Sequence, residues 1–398
     1  MIRNRDIVVF GLQPWDIAIG SNCKDMALEL SKHNRVLYIN QPADITAYWF
    51  RKNDPIVKNR LEVKQGKRSP WEAINQNLTV FSASDAVMPL NWMNWKGMHR
   101  QINKWNNSRF AANVKEAIAH MGFRNYILIN DSSMFTGFHM KEMLNPAFTL
   151  YYIRDFLTSQ PFFGKHGKSM EPQLISKSDA VITNSKFLEK YAQQFNNKAH
   201  YIGQGCDTTP YLNCDQLEIP EDIKFMKKPI IGYTGNITSK RLDPDLLHFL
   251  AEQRPEWNFV FVGPMDDVFK SHAIQHLRNV YFIGSRKPEQ LPAYVGHFDV
   301  CINPQVLNDL TVGNYPRKID EYLAAGKPVV ATETEATGIF ADTIYTAKNH
   351  QEFLDAVEKS LQENPNEKRA ARVEMAMSHS WEASIGELSK IVEHYEHA

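Results

Sequence analysis

The 398-residue sequence contains no apolar stretch that approaches the ~18 residues needed to span a membrane. Its first residues lead from Met1 into a short apolar strand, without the apolar core and cleavage site of a secretory signal. The four cysteines show no Cys-x-x-Cys spacing, which argues against a zinc site or a disulfide framework. Repeats and low-complexity tracts are also missing. These absences favour a globular, cytoplasmic protein with reduced thiols.

Net charge is absent as well, since 45 Lys and Arg balance 45 Asp and Glu. The balance hides an asymmetry. Residues 1–210 carry 26 basic and 17 acidic side chains, a net of +9, and the remainder carries 19 and 28, a net of −9. A positive half indicates an anionic partner for that half, although two independently evolved surfaces would give the same pattern. Nucleic acid is not expected, because no known binding motif accompanies the charge.

Short β-branched runs alternate with amphipathic helical patterns along the whole chain, which predicts parallel α/β sheets. The strand candidates are Ile7–Leu12, Val36–Asn40, Leu78–Phe81, Tyr126–Asn130, Thr149–Ile153, Ala180–Thr183, Pro229–Thr234, Phe259–Val262, Val280–Ile283, Phe298–Asn303 and Pro328–Ala331. The helix candidates are Asp25–His33, Arg100–His120, Pro172–Lys177, Ser185–Gln194, Pro244–Gln253, Lys318–Ala325, Gln351–Gln362 and Glu367–Tyr395. The pattern predicts an α/β protein of two doubly wound, Rossmann-like domains that face a cleft.

A polar segment with little periodicity separates the two halves and predicts a linker at residues 211–228. The predicted domains are then residues 1–210 and 229–378. A C-terminal helix over residues 379–398 is expected to pack back on the N-terminal domain.

The most informative segment is the predicted helix that follows Gly313. Lys318 and Glu321 are three residues apart and therefore share one face of this helix. A lysine there can neutralise phosphate, and a carboxylate can accept hydrogen bonds from two ribose hydroxyls. Gly326 is expected to end the helix before an apolar strand. An ordinary helix–strand unit with a surface Lys–Glu pair is the alternative.

This segment, Gly313-Asn-Tyr-Pro-Arg-Lys-Ile-Asp-Glu-Tyr-Leu-Ala-Ala-Gly-Lys-Pro-Val-Val-Ala-Thr332, resembles the nucleotide-sugar helix of B-type-fold glycosyltransferases, the bacterial retaining group 1, family 4-like proteins. The resemblance implies that Glu321 binds the ribose. The segment departs from the family pattern at Gly313, because most members of the family have a first glutamate at this position. Backbone amides of residues 312–315, or the side chains of Asp309, Thr311 and Asn314, are the expected substitutes, and Tyr315 belongs to the same predicted site.

Two further segments carry the resemblance. In Ile231-Gly-Tyr-Thr-Gly-Asn-Ile-Thr-Ser-Lys-Arg-Leu-Asp243, Gly235 lets the backbone approach a diphosphate that Lys240 or Arg241 neutralises. Ser285 and Arg286 follow a later strand, in the loop that holds the base in the family. Asp243-Pro-Asp245 is similar to the metal-binding Asp-x-Asp motif of the other glycosyltransferase fold, but an Asp followed by Pro before an apolar helical run is typical of a helix N-cap. No metal is expected if basic residues stabilise the leaving diphosphate.

The acceptor side has weaker signals. Gly20 and Ser21 match the glycine-containing loop that borders the cleft in the family, and a plain loop before a helix is nearly as good an interpretation. Arg154, Asp155 and His166 are the polar candidates for catalysis or acceptor binding. Each has a structural alternative, an Arg–Asp pair or a core histidine.

The segment from Met88 to Trp105 is dense in tryptophan, methionine and cations. Such a composition suits a membrane interface or a lipid-linked acceptor, and a core-packing loop is the alternative. We therefore expect cytoplasmic localisation with peripheral contact to the inner membrane face.

The resemblance implies a retaining, metal-independent glycosyltransferase of cell-surface polysaccharide synthesis. An inverting enzyme would instead need a side-chain base, for which Asp155, Asp131 or His166 could serve. The protein would take a nucleotide-sugar, with UDP-sugar favoured, as substrate and use no cofactor. The acceptor would be a glycan or a lipid-linked glycan. A nucleotide-sugar epimerase and a non-catalytic nucleotide-sugar- or glycan-binding subunit are the alternatives.

Overall fold

The structure, a computed structural model, describes residues 1–17, 21–308, 311, 315–364 and 367–396. The chain divides into two compact units. The first unit consists of residues 1–203 and 384–398, and the second unit of residues 204–383. Within the described ranges, no helix is both long and apolar enough to cross a membrane.

The first unit is built on an eight-stranded sheet with the order β3-β4-β2-β1-β5-β6-β7-β8. Its strands are β1 Asp6–Gly11, β2 Arg35–Asn40, β3 Trp71–Asn75, β4 Leu78–Ser82, β5 Ile127–Asp131, β6 Phe148–Ile153, β7 Ala180–Thr183 and β8 Ala199–Tyr201. All pairings are parallel except the one between β3 and β4. The central strands are continuous apolar runs because helices cover both faces of the sheet.

In the described residues of the first unit, seven helices lie between these strands: α1 Asn22–Ser31, α2 Ile45–Phe50, α3 Pro55–Lys64, α4 Lys96–His120, α5 Met140–Leu144, α6 Pro161–Lys177 and α7 Lys186–Gln193. The C-terminal helix α14, Trp381–Glu396, supplies the remaining segment of the first unit. Its last turn bonds to this unit. Arg5 donates to Glu396 at 2.7 Å, and His200 Nε2 lies 2.9 Å from the Tyr395 hydroxyl.

The second unit has a six-stranded sheet with the order β11-β10-β9-β12-β13-β14. Its strands, all parallel, are β9 Ile230–Thr234, β10 Asn258–Val262, β11 Val280–Gly284, β12 Val300–Asn303, β13 Val329–Thr332 and β14 Tyr345–Ala347. Its helices are α8 Pro244–Gln253, α9 Asp267–Ser271, α10 Leu291–His297, α11 Arg317–Ala324, α12 His350–Gln362 and α13 Arg369–Ser378. The strand order reverses at β9 and β12, and such a reversal opens a crevice at the carboxyl ends of the strands.

Each predicted strand overlaps an observed strand to within two residues at either end, so the α/β prediction is confirmed. The three strands that the pattern missed, β3, β8 and β14, are all edge strands. Edge strands are short and partly solvated, and they lack the continuous apolar run of a central strand.

Two helix predictions were wrong in extent. The helix predicted from Pro172 begins at Pro161, with Pro172 inside it. The long helix predicted over Glu367–Tyr395 is divided into α13 and α14 around His379 and Ser380. This break has a tertiary cause, because the His379 carbonyl accepts a hydrogen bond from the Cys206 amide at 3.0 Å. The cysteines Cys23, Cys206, Cys214 and Cys301 are all buried free thiols.

Candidate donor and acceptor sites

Glu321 lies on α11 in a largely buried position, with 17% of its side chain exposed. Burial raises the pKa of its carboxyl, and Arg317, Lys318 and a hydrogen bond from the Tyr211 hydroxyl oppose that rise. The Arg317 Nε lies 3.6 Å from Glu321 Oε1. A carboxylate held in this way is oriented by the protein and keeps acceptor capacity for hydroxyl groups of a ligand.

Lys318, in the first turn of α11, lies directly over the loop after β9. A Cβ atom on Gly235 would be 2.2 Å from the Lys318 Cε and 2.8 Å from its Nζ. The Nζ also lies 5.4 Å from the centre of the Tyr233 ring. In the described parts of the chain, Lys318 has no salt-bridge partner. The lysine predicted to neutralise phosphate and the glycine predicted to admit it are therefore neighbours in space.

The loops after β9 and β10 contact each other through backbone. The Gly235 amide donates to the Val262 carbonyl at 2.8 Å. Gly263 has a φ of +153°, and a Cβ at this residue would lie 1.9 Å from the Gly235 oxygen. Only glycine fits this position, so the shape of the loop beneath Lys318 depends on Gly263.

The loop that contains Lys240 and Arg241 is fixed by the segment after β12. The Val306 amide donates to the Arg241 carbonyl at 2.9 Å, and the Asp243 amide donates to the Pro304 carbonyl at 3.0 Å. The Asp243 side chain accepts from the Asp245 and Leu246 amides at 3.0 Å, with Pro244 at the first position of α8. The predicted N-cap is confirmed. Neither Lys240 nor Arg241 forms an ion pair within the described chain.

A buried polar cluster that the sequence analysis did not predict forms hydrogen bonds with α11. His379 Nδ1 lies 2.8 Å from Asp320 Oδ1 and 2.9 Å from the Tyr315 hydroxyl. Burial raises the pKa of Asp320, while its bonds with His379 and Tyr315 act in the opposite direction. The Tyr322 hydroxyl accepts a hydrogen bond from the Thr234 amide at 2.9 Å, which ties α11 to the end of β9. These contacts position Glu321 relative to the sheet.

Two predicted donor-site side chains are bound by the protein itself. Arg286 donates to Asp222 at 2.6 Å and to the Tyr294 hydroxyl at 2.9 Å. Thr311 is buried, and its hydroxyl donates to the Val306 carbonyl. Ser285 is exposed in the loop after β11. Gly313 and Asn314, and the possible substitute Asp309, lie outside the described residues.

In the first unit, Arg154 and Asp131 form a buried pair at the carboxyl ends of β6 and β5. The Arg154 Nε donates to Asp131 Oδ1 at 2.6 Å. Burial acts to lower the pKa of Arg154, but the charge and hydrogen bond of Asp131, together with Cys23 and Tyr152, raise the pKa overall. Asp131 Oδ2 is buried with no hydrogen-bond partner among the described residues. The cluster extends to Gln13, whose Oε1 lies 3.5 Å from Arg154 and accepts from the Ser21 hydroxyl at 2.6 Å.

The other predicted acceptor-side residues are in different settings. His166 is buried in α6, where its Nε2 lies 3.0 Å from the Met93 carbonyl oxygen and its ring stacks on His99 at 3.8 Å. Asp155 is half-buried, and its carboxylate has no partner in the parts of the chain that are described. Gly20 lies outside those parts. The structure therefore brings Arg154 and Ser21 together through Gln13, while His166 contacts α4.

The two parallel α/β units and the strand-order reversal define a class, the B-type glycosyltransferase fold. Solved structures agree. The chain superposes on sucrose-phosphate synthase from Thermosynechococcus elongatus with a TM-score of 0.67 at 16% identity, and the match covers 98% of this chain and 99% of the synthase. It superposes on Anabaena HepE in complex with UDP with a TM-score of 0.68 at 14% identity, again covering 98% of this chain and 99% of the other.

Sequence comparison finds a family match in the second half of the chain. Residues 228–364 match the sequence model of the glycosyl transferases group 1. The chain is also 26% identical over 242 residues to TuaH of Bacillus subtilis (strain 168), named as a glycosyltransferase of teichuronic acid biosynthesis. That match spans 58% of this chain and 61% of TuaH, so it covers about three fifths of the relative's length. The resemblance to the group 1 glycosyltransferases is confirmed.

Proposed function

We propose that the protein transfers a sugar from a nucleotide-diphosphate donor, with UDP-sugar favoured, to a glycan or lipid-linked acceptor. The observation that carries the proposal is the arrangement of Glu321 and Lys318 around the Gly235 loop, at the carboxyl end of the second sheet. The named role of TuaH in teichuronic acid biosynthesis supports a pathway of cell-surface polysaccharide. The UDP in the HepE structure supports the choice of nucleotide. The matches reported above offer no support for an epimerase.

In this proposal Glu321 accepts hydrogen bonds from the two ribose hydroxyls, and its partners Tyr211 and Arg317 hold it in place. Lys318 and Arg241 neutralise the diphosphate as negative charge develops on it. They suit this role because no acidic side chain of the described chain forms a salt bridge with either. Charge that is preorganised for the leaving group lowers the barrier without a metal ion, so we propose metal-independent transfer.

We propose retention of configuration, with the leaving phosphate assisting removal of the acceptor proton, as the family resemblance implies. An inverting reaction would need a side-chain base. Among the candidates Asp131, Asp155 and His166, Asp155 has the least engaged side chain, because Asp131 pairs with Arg154 and His166 lies against Met93. The anomeric configuration of the product, measured by NMR, distinguishes the two reactions.

The direct test measures UDP release from a panel of UDP-sugars, with and without a membrane lipid extract as acceptor source. We expect release that depends on acceptor for one sugar and is lost in the Glu321→Gln variant. Interconversion of sugars without acceptor would instead identify an epimerase. Tight UDP-sugar binding with no turnover on any extract would identify a binding subunit. We further propose that the protein works at the inner face of the membrane, where a lipid-linked acceptor would be presented.

A further inference from the structure

Three large aromatic side chains are exposed on neighbouring segments of the first unit. Trp92 is 63% exposed, Trp95 72% and Phe162 63%. Hydrogen bonds join the segments that carry them. Asn91 Nδ2 donates to the Phe162 carbonyl at 3.0 Å, and Lys165 Nζ donates to the Asn91 carbonyl at 2.5 Å. We call Trp92, Trp95 and Phe162 the aromatic face.

Local bonding keeps the tryptophans pointing outward. Met93, between them in sequence, is 1% exposed, and its carbonyl is 3.0 Å from His166 Nε2. Trp92 is held on the surface by a bond from its Nε1 to the Pro89 carbonyl at 3.0 Å. Of the two interpretations of this segment, core packing therefore holds for Met93, whereas Trp92 and Trp95 are solvent-exposed. Exposed aromatic residues on segments that are hydrogen-bonded to each other indicate an interaction surface.

The surroundings of the aromatic face are basic. No acidic residue occurs between Asp85 and Glu116, or between Asp155 and Glu171. These two intervals contain the N-terminal halves of α4 and α6, in which five cations are exposed: Lys96, Arg100, Lys104, Lys165 and Lys168. Within the described residues, none of the five forms an ion pair. This uncompensated positive charge favours an anionic partner.

A groove between α4 and α6 lies on the same helices. Its volume is about 310 Å³, and its lining combines apolar and polar side chains with two of the unpaired cations: Arg100, Asn103, Lys104, Phe138, His139 and Met170. Arg100 and Lys104 are four residues apart and so project from one face of α4. Two cations beside an apolar floor suit a phosphate group attached to a hydrocarbon chain.

We propose that this part of the first unit docks on an anionic lipid bilayer. Trp92, Trp95 and Phe162 enter the headgroup region, where aromatic rings are favoured, and Arg100 and Lys104 bind lipid phosphate in the groove. The docking would bring the enzyme to a lipid-linked acceptor, and this part of the inference rests on the proposed function. The binding itself does not require sugar transfer.

The experiment is co-sedimentation of the full chain with vesicles of phosphatidylcholine, alone or mixed with phosphatidylglycerol. We expect binding only to the mixed vesicles and a loss of binding as salt rises. The Arg100→Gln/Lys104→Gln variant should bind about thirtyfold more weakly, since each basic residue near the surface contributes roughly fivefold. Replacement of Trp92, Trp95 and Phe162 by alanine should also weaken binding about tenfold or more.

The matched control is Lys67→Gln/Lys115→Gln, which removes two exposed charges of the same unit that do not line the groove. It should bind vesicles nearly as the unmodified protein does. Equal losses in both charge variants, equal binding to uncharged vesicles, or no binding to either vesicle at low salt would overturn the proposal. UDP affinity is measured on the same variants and should not change. Failure of vesicle binding is thus separated from failure of the donor site.

Discussion

Replacement of Glu321 by glutamine is the sharpest test of the donor site, because it removes a charge and keeps the shape of the side chain. The carboxylate is largely buried and is proposed to accept hydrogen bonds from the ribose hydroxyls of UDP. Hydrogen bonds to a charged group contribute about 1.5–3 kcal/mol. The variant should therefore bind UDP roughly 10- to 150-fold more weakly, at about 1.4 kcal/mol per factor of ten.

The assay is isothermal titration calorimetry with UDP, supported by circular dichroism to show that the variant is folded. The control is Glu256→Gln, the same change at an exposed residue just before β10, at the amino end of the strands and away from their carboxyl ends. It should leave UDP affinity unchanged. A folded Glu321→Gln protein that binds UDP as tightly as the unmodified chain would refute the assignment of Glu321 to the ribose.

The pH dependence adds a second arm to this test. Burial raises the pKa of Glu321, so the carboxyl takes up a proton at a higher pH than an ordinary glutamate. Since the charged form is the proposed ribose acceptor, UDP affinity should fall as pH is lowered from neutral. The glutamine variant has no such proton to gain and should lose this pH dependence. A parallel fall in both proteins would assign the effect to another group.

Three other predictions concern turnover, loop shape and stability. Lys318→Ala and Arg241→Ala should each lower kcat about tenfold or more and affect UDP affinity less, as steady-state kinetics and calorimetry together will show. Gly263→Ala should displace the Gly235 loop and reduce both UDP affinity and the thermal midpoint, because its Cβ would collide with backbone. Glu171, 1% exposed and bonded by Tyr151 and Tyr191, has a pKa raised from 4.5 to about 7. The free energy of unfolding should therefore fall by about 3 kcal/mol as pH rises from about 4.5 to about 7. The Glu171→Gln variant should not show this loss. Urea unfolding near pH 5 and near pH 8 measures the difference.

Much of the fold could be predicted because its signals are local. Buried parallel strands are continuous apolar runs, and Asp243 followed by proline marks a helix start with no help from distant residues. The proximity of Lys318 to Gly235 could not be predicted from periodicity alone, because periodicity does not show which segments lie together. The family resemblance supplied that link.

The remaining features depend on partners far apart in the sequence. Arg286 was predicted to lie at the base of the nucleotide, but its guanidinium is bound by Asp222, in the segment interpreted as a linker. The cluster of Asp320, His379 and Tyr315 joins residues about sixty positions apart, and each residue alone is unremarkable in sequence. The division of α13 from α14 has the same origin, because no proline or glycine marks it. Tertiary hydrogen bonds, which a local sequence pattern does not show, determine these three features.

The division of the chain has a consequence for the order in which the protein folds during synthesis. The second unit is one uninterrupted segment, residues 204–383, and all of its strands emerge from the ribosome in succession. The first unit is discontinuous, and its final segment, with the bonds to Arg5 and His200, is translated after the second unit. Residues 1–203 must therefore wait, at 5–20 residues per second for roughly ten to forty seconds, before α14 can join them. During that interval the surface that α14 later covers is open to chaperones, and translation speed through the second unit sets how long it stays open.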